Sequence, residues 1–529
     1  MIQHIKRLLG IGKPDPTRGN SIIVNVEKLE RRVALLENGV LEEYTVEREG
    51  DQNIVGGIFK GRVKNIEGGL KAMFVDIGLD KNAFLHFWDA IPAALDGGLE
   101  EIQREGKKKQ QKKITSKDIP DIYPIGSEIV IQVSKGPIGT KGPRVTTNIS
   151  LAGRYLVLMP FTEQFGISRK IEDPKERLRL RKIVQKLAVP EGMGIIMRTI
   201  AQGTRARHFV RDLHMLLEQW DEIEARRANN PAPACIFQEP GLIERTARDF
   251  LTDEIDQVIC DDAATTEMIR TVAGKISRRA KRRIHYMPSA AGQPIFERIN
   301  IQKQIDEAFS RQVWLKCGGY IVIDETEALI AIDVNTGRNR GSKDVDKMIL
   351  ETNVEAAVEV ARQLRLRNIG GLVVIDLIDM RHRKDQQTVY KAIKERLKRD
   401  KAKTQVLQIS PVGLMEMTRQ RLNESLRDSM YEPCPYCQGR ARVKTPMTMS
   451  VEIQRRLNTV IQKHRDNIGD IIVVVNTDVL NRFKSEDAKL LGELERSHSG
   501  RLIFRSDPTL NRERFAIIDA ATEKTVDQG

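Results

Sequence analysis

The chain has 529 residues, with 87 Lys plus Arg against 73 Asp plus Glu and a formal charge of +14. That length holds three or four domains of roughly 150 residues, and the basic balance points to a polyanionic partner, nucleic acid first. No run of about 18 apolar residues is present, so no membrane-spanning helix is expected, and five cysteines without an N-terminal apolar signal segment point away from a disulfide framework and toward a reducing, cytoplasmic setting.

Residues 1–19 read as a short extension. Ile2, Ile5, Leu8 and Leu9 stand at helical spacing beside Lys6 and Arg7, a pattern that suits weak docking on a membrane surface or a partner, although a frayed tail is the plainer reading. SIIVNV and RRVALLENGVLEEYTV follow as strands, with Asn38-Gly39 as a hairpin turn. Five short strands come next: GGIFKGRVKNI, LKAMFVDIG, KNAFLHF, EIVIQVSK and RVTTNIS. Such a series predicts a small barrel of the OB type. Between the third and fourth strands lies a Lys-, Gly- and Gln-rich segment that contains KKKQQKK, residues 107–113. It has too little apolar content to bury a core and is expected to be a solvated loop. From Asp173 the pattern turns helical, with a strand at GMGIIMRTIA and a helix that ends before Pro231. RRAKRR, residues 278–283, is a further charge run expected to face solvent. An α/β block then extends from about 302 to 430, followed by the turn-rich EPCPYCQGRARVKTP and a small α/β unit. No internal repeat is evident.

Strand alternation sorts the barrel faces. Met73, Val75, Ile77, Leu85 and Phe87 fall on one side, whereas Phe74, Phe84 and His86 fall among polar residues, with Lys60, Arg62 and Lys64 together on the first strand. Aromatic rings with interleaved cations suit single-stranded nucleic acid, because bases stack on rings while cations follow phosphates. The alternative is that one Phe caps the barrel core or meets another domain.

The sequences LIAIDVNTGRNRG (329–341) and GGLVVIDLIDM (370–380) each end a β-branched run in an aspartate. Between them SKDVDKMILETNVEAAVEVARQLRLR carries Leu350, Val354, Ala357, Ala361 and Leu364 as a helical stripe. A right-handed crossover would make the two strands parallel and bring Asp333 and Asp376 to one sheet edge, with Asn335 directed as Asp333 is. Carboxylates at the ends of buried strands would lose solvation and repel each other unless a cation lies between them. Mg²⁺ accepts one or two carboxylates plus waters, and phosphodiester hydrolysis is the chemistry implied. The competing reading makes both residues ion-paired strand ends or turn caps, as Asp324 and Asp379 are taken to be.

Cys434 and Cys437 form a CxxC hairpin, half of a four-ligand structural Zn²⁺ site. Its twin across a two-fold axis would complete it, making a homodimer; a turn that binds nothing is the alternative.

Taken together, the aromatic barrel, SLAGRYLVLMP, PEGMGIIMRT, IDVNTG, EVARQLRLRNIGGLVVIDLIDM, CPYC and DPTLNRERFAIID resemble the ribonuclease E/G family from about residue 20 to beyond 510. With IDVNTG and no long tail after the catalytic portion, the resemblance is strongest to the ribonuclease G branch. The resemblance implies a multidomain α+β architecture with these parts: an extension (1–19); a ribonuclease-H-like subdomain in two pieces (20–49 and 244–302), without chemistry of its own; an S1-type OB domain (50–150), here with a Lys-rich insertion (96–122) that is unusual for the family; a 5′-sensor region (151–243); a DNase I-like catalytic domain (303–430); a zinc link (431–445); and a small C-terminal domain (446–529). It also implies a Mg²⁺-dependent endoribonuclease that cuts single-stranded RNA to 5′-phosphate and 3′-hydroxyl ends in rRNA processing and mRNA decay. In that reading Asp333 and Asp376 ligate Mg²⁺ and Asn335 assists at the phosphate. Phe74, Phe84 and Lys141 grip RNA, while Gly153, Val157, Arg169, Arg198 and Thr199 sense a 5′-monophosphate. Where the family can carry an arginine in support of that pocket, this chain has Lys403, which keeps charge but not the planar fork. The zinc-linked dimer would be the basic assembly, open to higher oligomers. The rival readings are a non-catalytic RNA-binding assembly factor on the same fold and a DNA nuclease.

Overall fold

The computed structural model describes residues 15–49, 54–91, 99–102, 115–137, 142–250, 254–276, 278–289, 292–338, 344–421, 425–463 and 469–528. The chain separates into two compact units, Met1–Leu426 and Arg427–Gly529. Among the described residues no helix is long and apolar enough to cross a membrane.

Among the described residues, four sheets build the larger unit. The first has the order Ile284–Tyr286, Gln257–Cys260, Asn20–Val26, Glu30–Glu37, Val40–Arg48. Its hairpin turns at Asn38 (φ 50°) and Gly39 (φ 82°), two left-handed residues of the kind a tight hairpin demands. Asn20–Val26 runs parallel to Gln257–Cys260, so the sheet is assembled from stretches more than two hundred positions apart, with the barrel and the third sheet inserted between Val40–Arg48 and Gln257–Cys260. Part of that insertion is the predicted barrel. Ile58–Glu67, Ala72–Asp76, Ala83–His86, Arg144–Thr146 and Glu128–Lys135 pair in that order and close by pairing of the last with the first. With strands numbered along the chain, that is the 1-2-3-5-4-1 arrangement of an OB fold.

The third sheet contains Leu151–Ala152, Leu156–Pro160, Met193–Met197, Phe165–Ser168 and Leu99–Glu101. Its last strand corrects one expectation: the Lys-rich insertion is not solvated loop throughout, since Leu99–Glu101 hydrogen-bonds antiparallel to Phe165–Ser168 and Ile119 is fully buried. KKKQQKK itself lies outside the described residues. The helix Ala206–Asn229 covers this sheet with Phe209, Leu213, Leu216, Trp220 and Ile223. RRAKRR is a second correction, because Arg283 is buried and donates to the Ile255 carbonyl at 2.9 Å.

The fourth sheet has the order Gln312–Trp314, Tyr320–Glu325, Leu329–Asn335, Gly371–Asp376, Leu414–Arg419, Thr404–Val406. Ile330, Ile332 and Val334 alternate into a core completed by Ala356, Ala357, Val360, Ala361 and Leu364 of the helix Val345–Leu366. Small alanines let helix and sheet approach closely, and the Asp344 carboxylate caps the helix by accepting from the backbone of Asp346 and Lys347. The helix ends at Asn368 (φ 52°), and Gly371 holds φ 114°. Arg419 and Asp400, both buried, form a two-pronged ion pair at 2.7 and 3.1 Å. The same guanidinium donates to the Ile369 carbonyl at 2.6 Å, tying the far edge of the sheet to the start of Gly371–Asp376.

In the smaller unit, Leu502–Ser506, Ile471–Val475, Phe515–Asp519 and Thr525–Gln528 form one sheet. The helix Pro446–Lys463 packs Met449, Ile453, Leu457 and Ile461 on it.

Candidate active site

Leu329–Asn335 and Gly371–Asp376 are parallel, and Asp333 lies in register with Asp376. Residues paired across parallel strands project to the same side, so both carboxylates leave one face of the sheet together. That face is open. The burial of Leu329–Asn335 alternates, with Ile330, Ile332 and Val334 inside and Ala331 and Asp333 exposed, and Asp376 is exposed as well. The expected desolvation is therefore absent: the acids stand on the solvent side of half-buried strands rather than inside a core. What remains of that expectation is their mutual proximity.

A cleft of about 360 Å³ is lined by Asp333, Val334, Asn335, Thr336, Asp376, Leu377, Ile378 and Asp379. Asn335 donates its amide to Asp333 Oδ2 at 2.8 Å, which orients that carboxylate. Behind the cleft, Asn353 of the crossover helix is fully buried. Its amide donates to the Ile378 carbonyl at 2.8 Å and accepts from the Ile378 N–H at 3.1 Å, pinning the loop that follows Asp376. Asp379, set aside in the sequence as a plain strand end, belongs to the cleft wall. A Cβ at Gly413, which holds φ +84°, would come within 3.3 Å of its Oδ1. Asp324 does behave as an ion-paired strand end, bonded to Arg311 at 2.5 and 2.6 Å.

Two exposed carboxylates, one amide-oriented, fit a hard divalent ion that takes one or two protein oxygens and keeps its waters. Among the described residues no group of three or more His, Cys, Asp or Glu is gathered to hold a metal. The fit is thus to a sparsely ligated ion with positions left for substrate, and not to a closed structural site.

On the barrel, Phe74 and Phe84 pair in register, with ring centroids 5.8 Å apart edge to face. His86 continues the row, 6.4 Å from Phe84. All three are partly exposed, while Met73, Val75 and Leu85 are fully buried. Of the adjoining cations, Lys60 is half-buried while Arg62 and Lys64 are exposed, and all three have carboxylate partners. Lys60 and Arg62 pair with Glu128 at 3.0 and 3.8 Å and donate to the carbonyls of Asn230 and Ala232, so they hold the segment that leads into the strand Ala234–Phe237. A bulge separates Lys64 from its neighbours, and it pairs with Asp76 at 3.3 Å. Lys141 lies outside the described residues.

The residues assigned to a 5′ end gather at one end of the third sheet. Phe165–Ser168 and Met193–Met197 are parallel, so Arg169 and the pair Arg198, Thr199 emerge together, and Ser168 Oγ lies 3.1 Å from Thr199 Oγ1. Val157 stands opposite Ile196. Gly153 is required where it is, since a Cβ there would lie 2.7 Å from Asp212 Oδ2. Asp212 accepts the backbone N–H groups of Arg154, Tyr155 and Leu156, holding the turn. Arg198 donates through Nη1 to the Gly153 carbonyl and to Asp249, both at 2.6 Å. Burial alone would raise the Asp249 carboxyl, but the charges of Arg198 and Arg248 hold it below the usual carboxylate range. Lys170 donates to the carbonyls of Asp400 and Lys401, which brings the segment carrying the exposed Lys403 to the same corner.

In the smaller unit, the Cys434–Cys437 turn closes by Gln438 N–H donating to the Cys434 carbonyl at 2.7 Å. Backbone N–H groups of Cys437 and Tyr436 hold the Cys434 thiol below its usual range, which favours the thiolate that metals bind.

A model of the Ribonuclease E/G family matches residues 150–422. Ribonuclease G of Escherichia coli (strain K12) is 37% identical over 498 residues, covering 94% of this chain and 99% of the relative. The chain belongs to the ribonuclease E/G family. Ribonuclease G of Haemophilus influenzae is 34% identical over the same share of both chains. Ribonuclease E of Escherichia coli (strain K12) is 36% identical over 484 residues, 90% of this chain and 44% of that protein. The family match begins after the barrel and takes in the paired aspartates and every strand of the third sheet except Leu99–Glu101.

For this family member, the Asn353 clamp makes a checkable claim. Asn353→Ala releases the loop after Asp376 and is expected to weaken Mn²⁺ binding, followed by electron paramagnetic resonance titration, about tenfold; unchanged affinity would show that the loop does not position the cleft.

Proposed function

We propose that this chain is a Mg²⁺-dependent endoribonuclease that cuts single-stranded RNA to 5′-phosphate and 3′-hydroxyl products, in rRNA processing and mRNA decay in the cytoplasm. The observation that carries the reading is the in-register pair Asp333 and Asp376 on one open sheet face, in a chain whose relatives are named ribonucleases. The two carboxylates, with Asn335 orienting Asp333, would hold the ion. When bound, such an ion supplies positive charge to the scissile phosphate and lowers the pKa of the attacking water. The chain's own part is geometric: parallel strands fix the carboxylate spacing, the Asn353 clamp fixes the loop beside them, and the cleft leaves room for a phosphodiester. The ring pair Phe74 and Phe84, with Lys141, would stack and grip unpaired bases. The cluster of Gly153, Val157, Arg169, Arg198 and Thr199, supported by Lys403, would receive a 5′-monophosphate. Because Arg198 already serves Asp249, stimulation by that phosphate is expected to be graded rather than absolute.

The decisive assay compares wild type, Asp333→Asn and Asp376→Asn on a 5′-monophosphorylated oligoribonucleotide in Mg²⁺, with matched DNA as control. Both variants are expected to lose about a hundredfold or more in cleavage while binding RNA normally. Cleavage at the wild-type rate would remove the site assignment and leave the assembly-factor reading, and equal cutting of the DNA would make the protein a general nuclease.

Cys434 and Cys437 would supply half of a tetrahedral Zn²⁺ site, completed by a second chain. Half a zinc per chain by elemental analysis, and dissociation of the dimer on Cys434→Ser, are the expected results; a full zinc in a monomer would overturn the shared site.

A further inference from the structure

The open face of the six-stranded sheet carries more than its acids. Trp314 stands opposite Tyr320, and Tyr320 opposite Asn335, so one row runs across the strands from an indole to the amide that bonds Asp333. Adjacent strands lie about 4.8 Å apart, which sets the indole roughly 10 Å from the strand that bears Asp333 and Asn335. Trp314 is 55% exposed, its ring centroid 5.3 Å from that of Tyr320, and the Arg338 guanidinium carbon lies 5.8 Å from the indole centroid. Lys316 beside it is exposed.

The arrangement is held in advance. A Cβ on Gly337, at φ +55°, would come within 2.5 Å of the Gly318 carbonyl and 3.1 Å of the Tyr320 ring, and one on Gly319 within 2.8 Å of the Asn335 carbonyl. The loop after Asn335 is therefore folded tightly onto the turn before Tyr320. Arg338 N–H donates to the Gly318 carbonyl at 2.8 Å, fixing the start of its side chain beside the indole. An indole flanked by a tilted second ring, with a guanidinium over its face and a carboxylate cleft along the same row, matches an unpaired nucleobase and its phosphate. The added positive charge and the continuity with a phosphate-handling cleft favour a nucleic-acid strand over a protein surface.

We propose that Trp314, flanked by Tyr320, is a stacking platform that holds one base of the RNA strand within a nucleotide or two of the bond to be cut, with Arg338 against the adjoining phosphate. The inference rests on the ribonuclease reading of the cleft.

The test places 2-aminopurine at successive positions on either side of the cut site of an oligoribonucleotide and reads its fluorescence on the full-length Asp376→Asn protein. One position near the scissile bond is expected to be quenched, the quench lost with Trp314→Ala added and kept with Trp314→Phe. In the otherwise wild-type chain, Trp314→Ala should raise KM about tenfold and change kcat less than about threefold. Arg338→Gln, which leaves the ring in place, should weaken binding about threefold at low salt and not at high salt. The platform is overturned if Trp314→Ala leaves both the quench and KM unaltered, if Arg338→Gln shows no salt-dependent loss, or if Trp314→Ala changes only the sedimenting mass, which would assign the indole to a protein contact. Should Asp376→Asn still cleave, the cleft reading fails while the quench pattern still reports on Trp314.

Discussion

Parallel pairing of Leu329–Asn335 with Gly371–Asp376 is the constraint from which the site follows. Parallel neighbours cannot be joined by a tight turn and require a crossover, here the helix Val345–Leu366. The helix must bury its apolar stripe on the sheet, and that choice leaves only the opposite face open. Asp333 and Asp376 are on the open face because Ile332 and Val334, and Val373 and Ile375, are on the closed one. Shifting either strand by one residue would send one carboxylate into the core, so the hydrophobic pattern that stabilises the fold also sets the register of the acids. The same helix carries Asn353 to the loop behind the cleft and sends Arg362 to the Leu41 carbonyl and Arg365 to Glu42. One element thereby couples the six-stranded sheet to the sheet that contains Asn20–Val26.

The other two candidate surfaces differ in construction, one at strand ends and one on a strand face. In the third sheet, Arg169 and Arg198 emerge where two parallel strands stop, and the charge gathered there is balanced by Asp249 and Asp212, one bonded to a guanidinium and the other to three backbone N–H groups. A phosphate arriving at this corner would compete with Asp249 for the Arg198 guanidinium, which is a reason to expect tuning of affinity more than an on-off switch. On the barrel, the aromatic row Phe74, Phe84 and His86 keeps its partly exposed setting, whereas Lys60 and Arg62 hold the segment that leads into a neighbouring strand.

Periodicity made much of this legible in the sequence. The two-residue alternation of LIAIDVN and AMFVD, and the helical stripe ending in Leu364, say which side of each element is buried, and the barrel order follows from strand count and spacing. Context that local pattern does not carry stayed hidden. The strand at Leu99–Glu101 lies in a polar, Lys-rich stretch and exists because Phe165–Ser168 offers it an edge. Arg283 looks like one member of a solvated charge run, but its guanidinium reaches a carbonyl in the preceding strand connection. Asp379 reads like Asp324 in the sequence; only the three-dimensional loop path, set by Asn353, separates a cleft wall from an ion-paired strand end. The solvent exposure of Asp333 and Asp376 could have been inferred from the alternation itself, since odd positions from 329 to 335 form the open face; the β-branched richness of the run obscured it.

Asp333 and Asp376 are proposed to act together as one cation site. Anomalous diffraction from crystals soaked in Mn²⁺ measures this most directly. A single strong peak is expected within coordination distance, about 2.2 Å, of an oxygen from each carboxylate. Ordered side chains with no peak between them, or a peak bound by only one of the two, would contradict it.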